Sequence, residues 1–463
     1  MRSLPGMCHA AVVRPMSLVI AAATLILVPG NRARGEIMAR GGNAHDHRGR
    51  GHRGHEPPLP PGVAETVDRT AGDYLYEPDR LVSTLDDLPR VERYLDERRG
   101  TSVTDIARHE RLGVALLEIK TGRGADVPTI VDELHALSGG LRVGPSHVLG
   151  VNAHLAMVPV APPRPAPPLP LRADEPGLPG EGVRIAALDT GAWAHPWFMG
   201  RVDFRYPEDL DVPDQDGDGR LDWAAGHGTF IAGTILQYAP RATVVARRLP
   251  EDPGPAPNPA HLTDLELATM LLDTPELLAC DVLTLSVGGY THDAMGLLAF
   301  EGAVEALRDL TPGLVIVAGA GNEGAAHPFF PAASPLVVGV GALDNDGRRA
   351  CFSNHGWWVD ACAPGVDRHS TFLEWDGPMA PYPDHPPEPC KGEMVVEPPK
   401  GDVEFTGGAR WDGTSFAAPQ VAAVLAGLIS EGRSGPEAVA DLLHDPSAQR
   451  LKGLGTVVIP ARV

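Results

Sequence analysis

From Val183 onward the chain alternates two patterns of hydrophobic positions. Short, nearly continuous apolar runs occupy Val183–Leu188, Asp281–Val287, Leu314–Ala318 and Leu336–Val340. Runs of this length and composition predict strands buried on both faces. Between them, Leu262–Leu272 and Leu297–Leu307 repeat apolar residues at the helical period, and Phe230–Leu236 reads as a short apolar helix. Val421–Ile429 is hydrophobic nearly all round, the pattern of a core helix. Strands of this kind alternating with helices predict an α/β unit, a mostly parallel sheet with helices on both faces, whose chemistry gathers at the carboxyl ends of the strands.

Upstream the pattern changes. Val114–Ile119 reads as a strand, and Val127–Leu137 as a helix with Ile130, Val131, Leu134 and Leu137 on one face. Leu88–Arg98 is an earlier helix, and Leu141–Leu155 offers further strands, so residues 63–158 are expected to form a small α+β domain. Residues 159–180 are proline-rich and are expected to be a stiff, extended linker with no regular element. The α/β unit then spans 181–432, with an insertion at 366–408 rich in Pro, Trp and acid, and residues 433–463 form a C-terminal extension.

At the other end, Arg2 and Arg14 precede a thirteen-residue apolar run, Met16–Val28, short for a membrane span but suited to a signal-peptide core. Residues 1–35 are therefore read as a signal segment, which points to a secreted or cell-surface protein with no integral membrane domain after processing. The segment 28–34 lacks a clean small-x-small cleavage site, so a true start at Met38 and a cytoplasmic location is the rival reading. Residues 36–62 are low in complexity; His45, His47, His52 and His55 there read as part of a solvated tail, with loose metal binding as the alternative.

Composition narrows the partners. The 463 residues carry 39 Lys and Arg against 60 Asp and Glu, a net charge of -21. That balance gives no electrostatic case for nucleic acid or anionic lipid. The five cysteines, Cys8, Cys280, Cys351, Cys362 and Cys390, have no CxxC spacing and read as free core thiols, with a Cys351–Cys362 bridge as the alternative.

Four polar residues stand where an α/β sheet places its chemistry. Asp189 ends the first strand, His227 opens the helix after Gly226, Asn322 follows the strand ending at Ala318, and Ser415 lies in Gly413-Thr414-Ser415, on the expected first turn of the last core helix. Singly they read as a turn aspartate, a helix-start histidine, a turn asparagine and an N-cap serine. Together they hold the parts of nucleophilic catalysis: a hydroxyl, an imidazole to take its proton, a carboxylate to orient the imidazole, and an amide donor. This chemistry requires no cofactor. Glycine-containing segments Ser286-Val287-Gly288-Gly289 and Ala318-Gly319-Ala320-Gly321 lack bulk where an extended peptide could approach, or are ordinary strand-end turns.

A second constellation is Asp214, Asp216, Asp218 and Asp222 around Gly217 and Gly219. Alternating carboxylates at a glycine turn predict a structural calcium site that would brace the segment before His227. Ala225 stands where an EF-hand has its closing glutamate, so an acidic surface turn is the alternative.

The stretches ALDTGAWAHP, GHGTFIAG, TLSVGG, VIVAGAGNEG, ACFSNHG, CAPG and GTSFAAP, in this order, resemble the subtilase family of serine peptidases over roughly residues 183–430. The resemblance implies a subtilisin-like fold and an endopeptidase with Asp189, His227 and Ser415 as triad and Asn322 as oxyanion partner. It implies that Ser286, Val287, Gly288 and Gly289 pair with a polypeptide substrate, and that Ala318, Gly319 and Ala320 help wall the specificity pocket. It also implies a precursor whose residues 63–158 act as an intramolecular inhibitor. A permanent regulatory domain on a cytoplasmic enzyme, or a non-catalytic peptide-binding module, are the alternatives. Phe230 and Phe416 replace the family's usual second histidine and methionine, and the 366–408 insertion leaves substrate preference open.

Overall fold

A computed structural model describes residues 64–66, 74–122, 125–137, 139–150, 161–170, 175–215, 217–222, 224–249, 262–380, 390 and 401–461. The signal segment, the histidine-rich segment and Asp216 lie outside the described residues.

The N-terminal unit runs β1 (Ala64–Thr66), β2 (Tyr74–Thr84), α1 (Leu88–Glu97), β3 (Thr101–His109), β4 (Val114–Thr121), α2 (Val127–His135) and β5 (Val143–Leu149). The strands form an antiparallel sheet in the order β5-β2-β4-β3, with β1 paired to β2. Helix α1 buries Leu88, Val91 and Leu95, and α2 buries Val127, Ile130, Val131 and Leu134, whereas Leu137, expected on the same face, lies past the end of α2 and is exposed.

The rest of the chain gives β6 (Arg164–Pro165), β7 (Arg184–Asp189), β8 (Val202–Asp203), α3 (His227–Tyr238), β9 (Thr243–Arg248), β10 (Leu262–Thr263), α4 (Asp264–Asp273), α5 (Pro275–Leu278), β11 (Val282–Leu285), α6 (Leu298–Leu310) and β12 (Val315–Gly319). There follow β13 (Val337–Leu343), β14 (Ala361–Pro364), β15 (Arg368–Pro378), β16 (Asp402–Trp411), α7 (Ala418–Ser430), α8 (Gly435–His444), β17 (Arg450–Leu451) and β18 (Gly455–Val457). The central sheet has the order β17-β18-β14-β13-β12-β11-β7-β9-β8 and is parallel except at the β17·β18 edge.

Alternation along its strands shows why both faces are covered. Ala186, Leu188, Leu283, Leu285, Ile316 and Ala318 join one core with α4, α6 and the N-terminal unit. Their neighbours Ile185, Ala187, Val282, Val315 and Val317 join a second core with α3 and α7. Successive side chains on a strand point to opposite faces, so uninterrupted apolar runs are what two cores require. The N-terminal unit is not separate from the domain that follows it. Strand β10 extends its sheet beyond β5, and its apolar residues share one continuous core with α4 and α6.

Two expectations are corrected. The proline-rich stretch is not free of regular structure: β6 pairs antiparallel with β16, and Leu169 is buried. Proline lacks an amide donor, which costs nothing on an outer strand whose N–H would face away from the ladder. The cysteines are not all free, and Cys362 is not the partner of Cys351. Cys351 is bonded to Cys390 with a Cα–Cα distance of 5.2 Å, whereas Cys280 and Cys362 are buried thiols. Burial pushes those two thiols up to about 11 and about 12, so neither is a ready nucleophile. The 366–408 insertion builds most of the β15–β16 hairpin, which packs along α3, where Ser370 and Thr371 donate to the carbonyls of Phe230 and Thr229.

Helix α6 is capped from outside itself: the Asp264 carboxylate accepts from the N–H groups of Ala299 and Phe300 at 2.9 and 2.8 Å. Burial pushes this carboxyl up to about 7, against the opposing pull of those two donors. A folded value above the unfolded one means that the contribution of Asp264 to stability is full below about pH 4 and is lost as pH rises through about 7. Asp264→Asn keeps one acceptor oxygen and cannot ionise. In a Ser415→Ala background, thermal melts should show a shallower decline in Tm for this variant than for its parent between about pH 5 and 8. Parallel profiles would contradict the assignment.

Candidate active site

The site forms where β7 and β11 lie side by side at the middle of the sheet and the chain departs to opposite flanks, the crevice that open α/β sheets use. Asp189 is the last residue of β7, and its Oδ1 accepts from the Thr190 N–H at 2.8 Å. His227 is the first residue of α3. For α3 to reach the turn after β7, Gly228 must lack a side chain, because a Cβ there would meet the Gly191 carbonyl oxygen at 1.9 Å. Gly226 adopts φ 81°, and a Cβ on it would lie 2.2 Å from the Phe372 ring of the inserted hairpin. The glycines of the GHGT stretch are thus dictated by the turn on one side and the hairpin on the other.

The imidazole Nδ1 of His227 lies 2.7 Å from Asp189 Oδ1, with the two residues 4% and 1% exposed. A carboxylate accepts, so Nδ1 carries the proton and Nε2 presents a lone pair. That Nε2 is buried and has no partner among the described residues, and the same holds for Ser415 Oγ. Ser415 sits in a 3₁₀ turn, Thr414–Phe416, just before α7, not on the first turn of the α-helix as the sequence pattern suggests. The side chain of its neighbour, Phe416, lies against the His227 ring with centroids 5.2 Å apart.

Asn322 follows β12 and is buried. Its Oδ1 accepts from both the N–H and the hydroxyl of Thr414, each at 2.9 Å. With the oxygen end bonded to the residue before Ser415, the NH₂ end points the other way from that contact.

Ser286 and Val287 directly follow β11, and the buried hydroxyl of Ser286 has no partner among the described residues. Gly288 pairs antiparallel with Gly150, the residue that ends the described part of the N-terminal unit, and Gly289 pairs with Phe330. A Cβ on Gly288 would meet the Phe329 ring at 2.4 Å, so the protein's own packing already demands this glycine. Ala318 and Gly319 end β12, and Ala320 donates to the Val340 carbonyl.

In the acidic loop, Asp214 accepts from the N–H groups of Asp218 and Gly219, Asp218 from Arg220, and Asp222 from Gln215. These bonds shape the turn; among the described residues the carboxylates of Asp214, Asp218 and Asp222 do not form a cluster with oxygens within 4.8 Å of one another.

Two contributors have no counterpart in the expectations. Asp211, fully buried, accepts from the Gly226 N–H at 2.7 Å and from the Thr229 hydroxyl at 3.3 Å, holding the segment on either side of His227. Burial pushes its carboxyl up to about 7. Trp411, at the end of the inserted hairpin, stands edge-on to His227 at 5.4 Å and contacts Phe230, Phe372 and Phe416. Phe230 and Phe416 pack on each other with centroids 4.5 Å apart. The two departures from the family pattern therefore fill one aromatic cluster behind the imidazole. The signal for Trp411 was its place two residues before Gly413; for Asp211 the acidic stretch gave none.

A family model described as the subtilase family matches residues 180–450. The thermophilic serine proteinase of Bacillus sp. strain AK1 is 32% identical over 286 residues, which is 59% of this chain and 58% of that protein. Thermitase of Thermoactinomyces vulgaris is 29% identical over 296 residues, 61% of this chain and 87% of thermitase. Among solved structures, fervidolysin from Fervidobacterium pennivorans, described as a keratinolytic enzyme related to subtilisin, superposes with a TM-score of 0.52 at 20% identity, covering 83% of this chain and 60% of that one. The chain thus spans under two thirds of the length of two of these three proteins. With the matched residues enclosing Asp189, His227, Asn322 and Ser415, the chain belongs to the subtilase family of serine peptidases.

Proposed function

We propose that this chain is a serine endopeptidase made as a precursor. The observation that carries the reading is the buried His227–Asp189 bond, which leaves Nε2 as a base beside the turn that holds an equally unpartnered Ser415 hydroxyl. Ser415 Oγ attacks the peptide carbonyl carbon while His227 Nε2 takes its proton, and Asp189 stabilises the imidazolium that forms. The Asn322 amide and the Ser415 backbone N–H donate to the tetrahedral oxyanion; losing one such donor typically costs about 2.7–4 kcal/mol of transition-state stabilisation. His227 then returns the proton to the leaving amine, and water hydrolyses the acyl-enzyme by the same route.

Substrate lies along Ser286–Gly289 as an added strand, with Ala318, Gly319 and Ala320 beside it. The Gly150–Gly288 pairing supports an inhibitory role for the N-terminal unit, because that unit already supplies a strand to the edge assigned to substrate. The Cys351–Cys390 bond favours export over a cytoplasmic location, since disulfides persist in oxidising compartments. No helix among the described residues is long and apolar enough to cross a membrane. Asp214, Asp216, Asp218 and Asp222 are assigned to a structural calcium ion that steadies the approach to α3.

Ser415→Ala is expected to abolish peptide hydrolysis and labelling by a serine-directed phosphonate. An unlabelled, folded wild type would instead favour a non-catalytic peptide-binding module. On expression, wild type should shorten at or before residues 161–180, whereas Ser415→Ala stays full length; equal processing of both would assign the cut to another protease. Calcium chelation should lower the Tm, and Asp216→Ala should remove that response. A Tm indifferent to calcium would rule out the ion.

A further inference from the structure

The contact between the N-terminal unit and the peptidase domain holds a polar cluster that the peptide chemistry does not use. His135 and Asp132 lie on α2 of the N-terminal unit, whereas His292 and Asp293 lie in the turn between β11 and α6. One ligand atom each of His135, His292 and Asp293 falls within 4.8 Å of the others. His292 Nε2 is 3.5 Å from Asp293 Oδ2 and 2.9 Å from Asp132 Oδ1, and His135 Nδ1 is 4.0 Å from Asp293 Oδ2.

The protonation pattern makes the cluster unusual. His135 Nε2 lies 2.7 Å from the Val143 carbonyl, which can only accept, so that nitrogen carries the proton. That leaves Nδ1 as the nitrogen facing the Asp293 carboxylate, where a proton or a metal cation can stand between them. On His292 the other nitrogen, Nδ1, is 2.7 Å from the Tyr74 hydroxyl, and the backbone N–H donates to His147 Nε2 at 3.0 Å. Each imidazole is thus held through its far nitrogen by an oxygen of the N-terminal unit, the outer bonding that orients histidine ligands on metals. The turn is also conformationally special: Asp293 and Ala294 are consecutive non-glycine residues at φ 52° and 54°.

We propose that His135 Nδ1, His292 Nε2 and Asp293 bind one divalent transition-metal cation of zinc's class across this interface. Tetrahedral zinc with bonds of about 2.0–2.1 Å sets its ligand atoms roughly 3.4 Å apart. Asp293 Oδ2 lies 3.5 Å from His292 Nε2 and 4.0 Å from His135 Nδ1, and all three ligand atoms fall within 4.8 Å of one another, so small side-chain adjustments bring them to that spacing. Two imidazole nitrogens with a carboxylate select zinc's class over calcium, which takes oxygens alone. The N-terminal unit offers one of these ligands and the turn before α6 the other two, so binding requires both in place and the metal in turn holds them together. The site does not rest on the peptidase reading, and its test is independent of hydrolysis.

The full-length Ser415→Ala chain is titrated with zinc by calorimetry and with cobalt(II) by visible absorption. The parent should bind one more zinc equivalent per chain than His135→Ala or Asp293→Asn, and should alone give the intense absorption of tetrahedral cobalt. Asp293 has a half-exposed side chain, so its substitution leaves the core untouched, and matching zinc-free melts verify the fold. Tyr74→Phe should keep the equivalent with affinity weakened about tenfold. Equal stoichiometry, affinity and cobalt spectra in the parent and Asp293→Asn would overturn the site and leave any bound zinc to the histidines at 45–55.

Discussion

The bond from His227 Nδ1 to the Asp189 carboxylate is the constraint around which the peptidase domain is built. It joins the end of a central strand to the start of a helix that packs over the sheet, and both groups are almost wholly removed from water. Such a pair holds one geometry only if the backbones on both sides are fixed. Gly228 lets α3 touch the turn after β7, Asp211 ties down the segment around His227, and the β15–β16 hairpin presses on the outer side of the helix. Each of these contacts limits the motion of the imidazole, and a nearly immobile base is what proton transfer from a hydroxyl requires.

The hairpin gives this chain its individual character. Trp411 and Phe372 bring aromatic bulk to the back of α3, where Phe230 and Phe416 meet them. A polar residue at 230 or a flexible one at 416 would leave that packing incomplete. The two substitutions and the insertion are thus parts of one structural solution. The Cys351–Cys390 bond adds a covalent link between the insertion and the loop before β14.

Sequence reading recovered the features that local chemistry enforces. Buried strands such as Val315–Gly319 need continuous apolar residues, α2 needs its stripe at Ile130, Val131 and Leu134, and Asp189, His227, Asn322 and Ser415 fall at element boundaries because the sheet topology puts them there. What escaped it depends on distant partners. Nothing near Cys390 reveals that Cys351 lies beside it, and Pro165 reads as a breaker until Ala409 supplies an antiparallel neighbour. Asp211 looks like any acid in an acidic stretch, and only its burial against Gly226 gives it a role. The shared core of the N-terminal unit was illegible for the same reason: its outer apolar positions have partners on α4 and α6, more than a hundred residues away.

The hydrogen bond from the Trp411 indole to the Ala161 carbonyl has one more consequence. Ala161 and the strand that follows it are stitched to the hairpin, so a scission anywhere in 151–160 cannot release them. The severed chain would begin with a fresh ammonium group on a leash of at most ten residues, anchored by the ring that backs the imidazole. On a chain with a net charge of -21, that terminus would be one new positive charge tied to the hairpin.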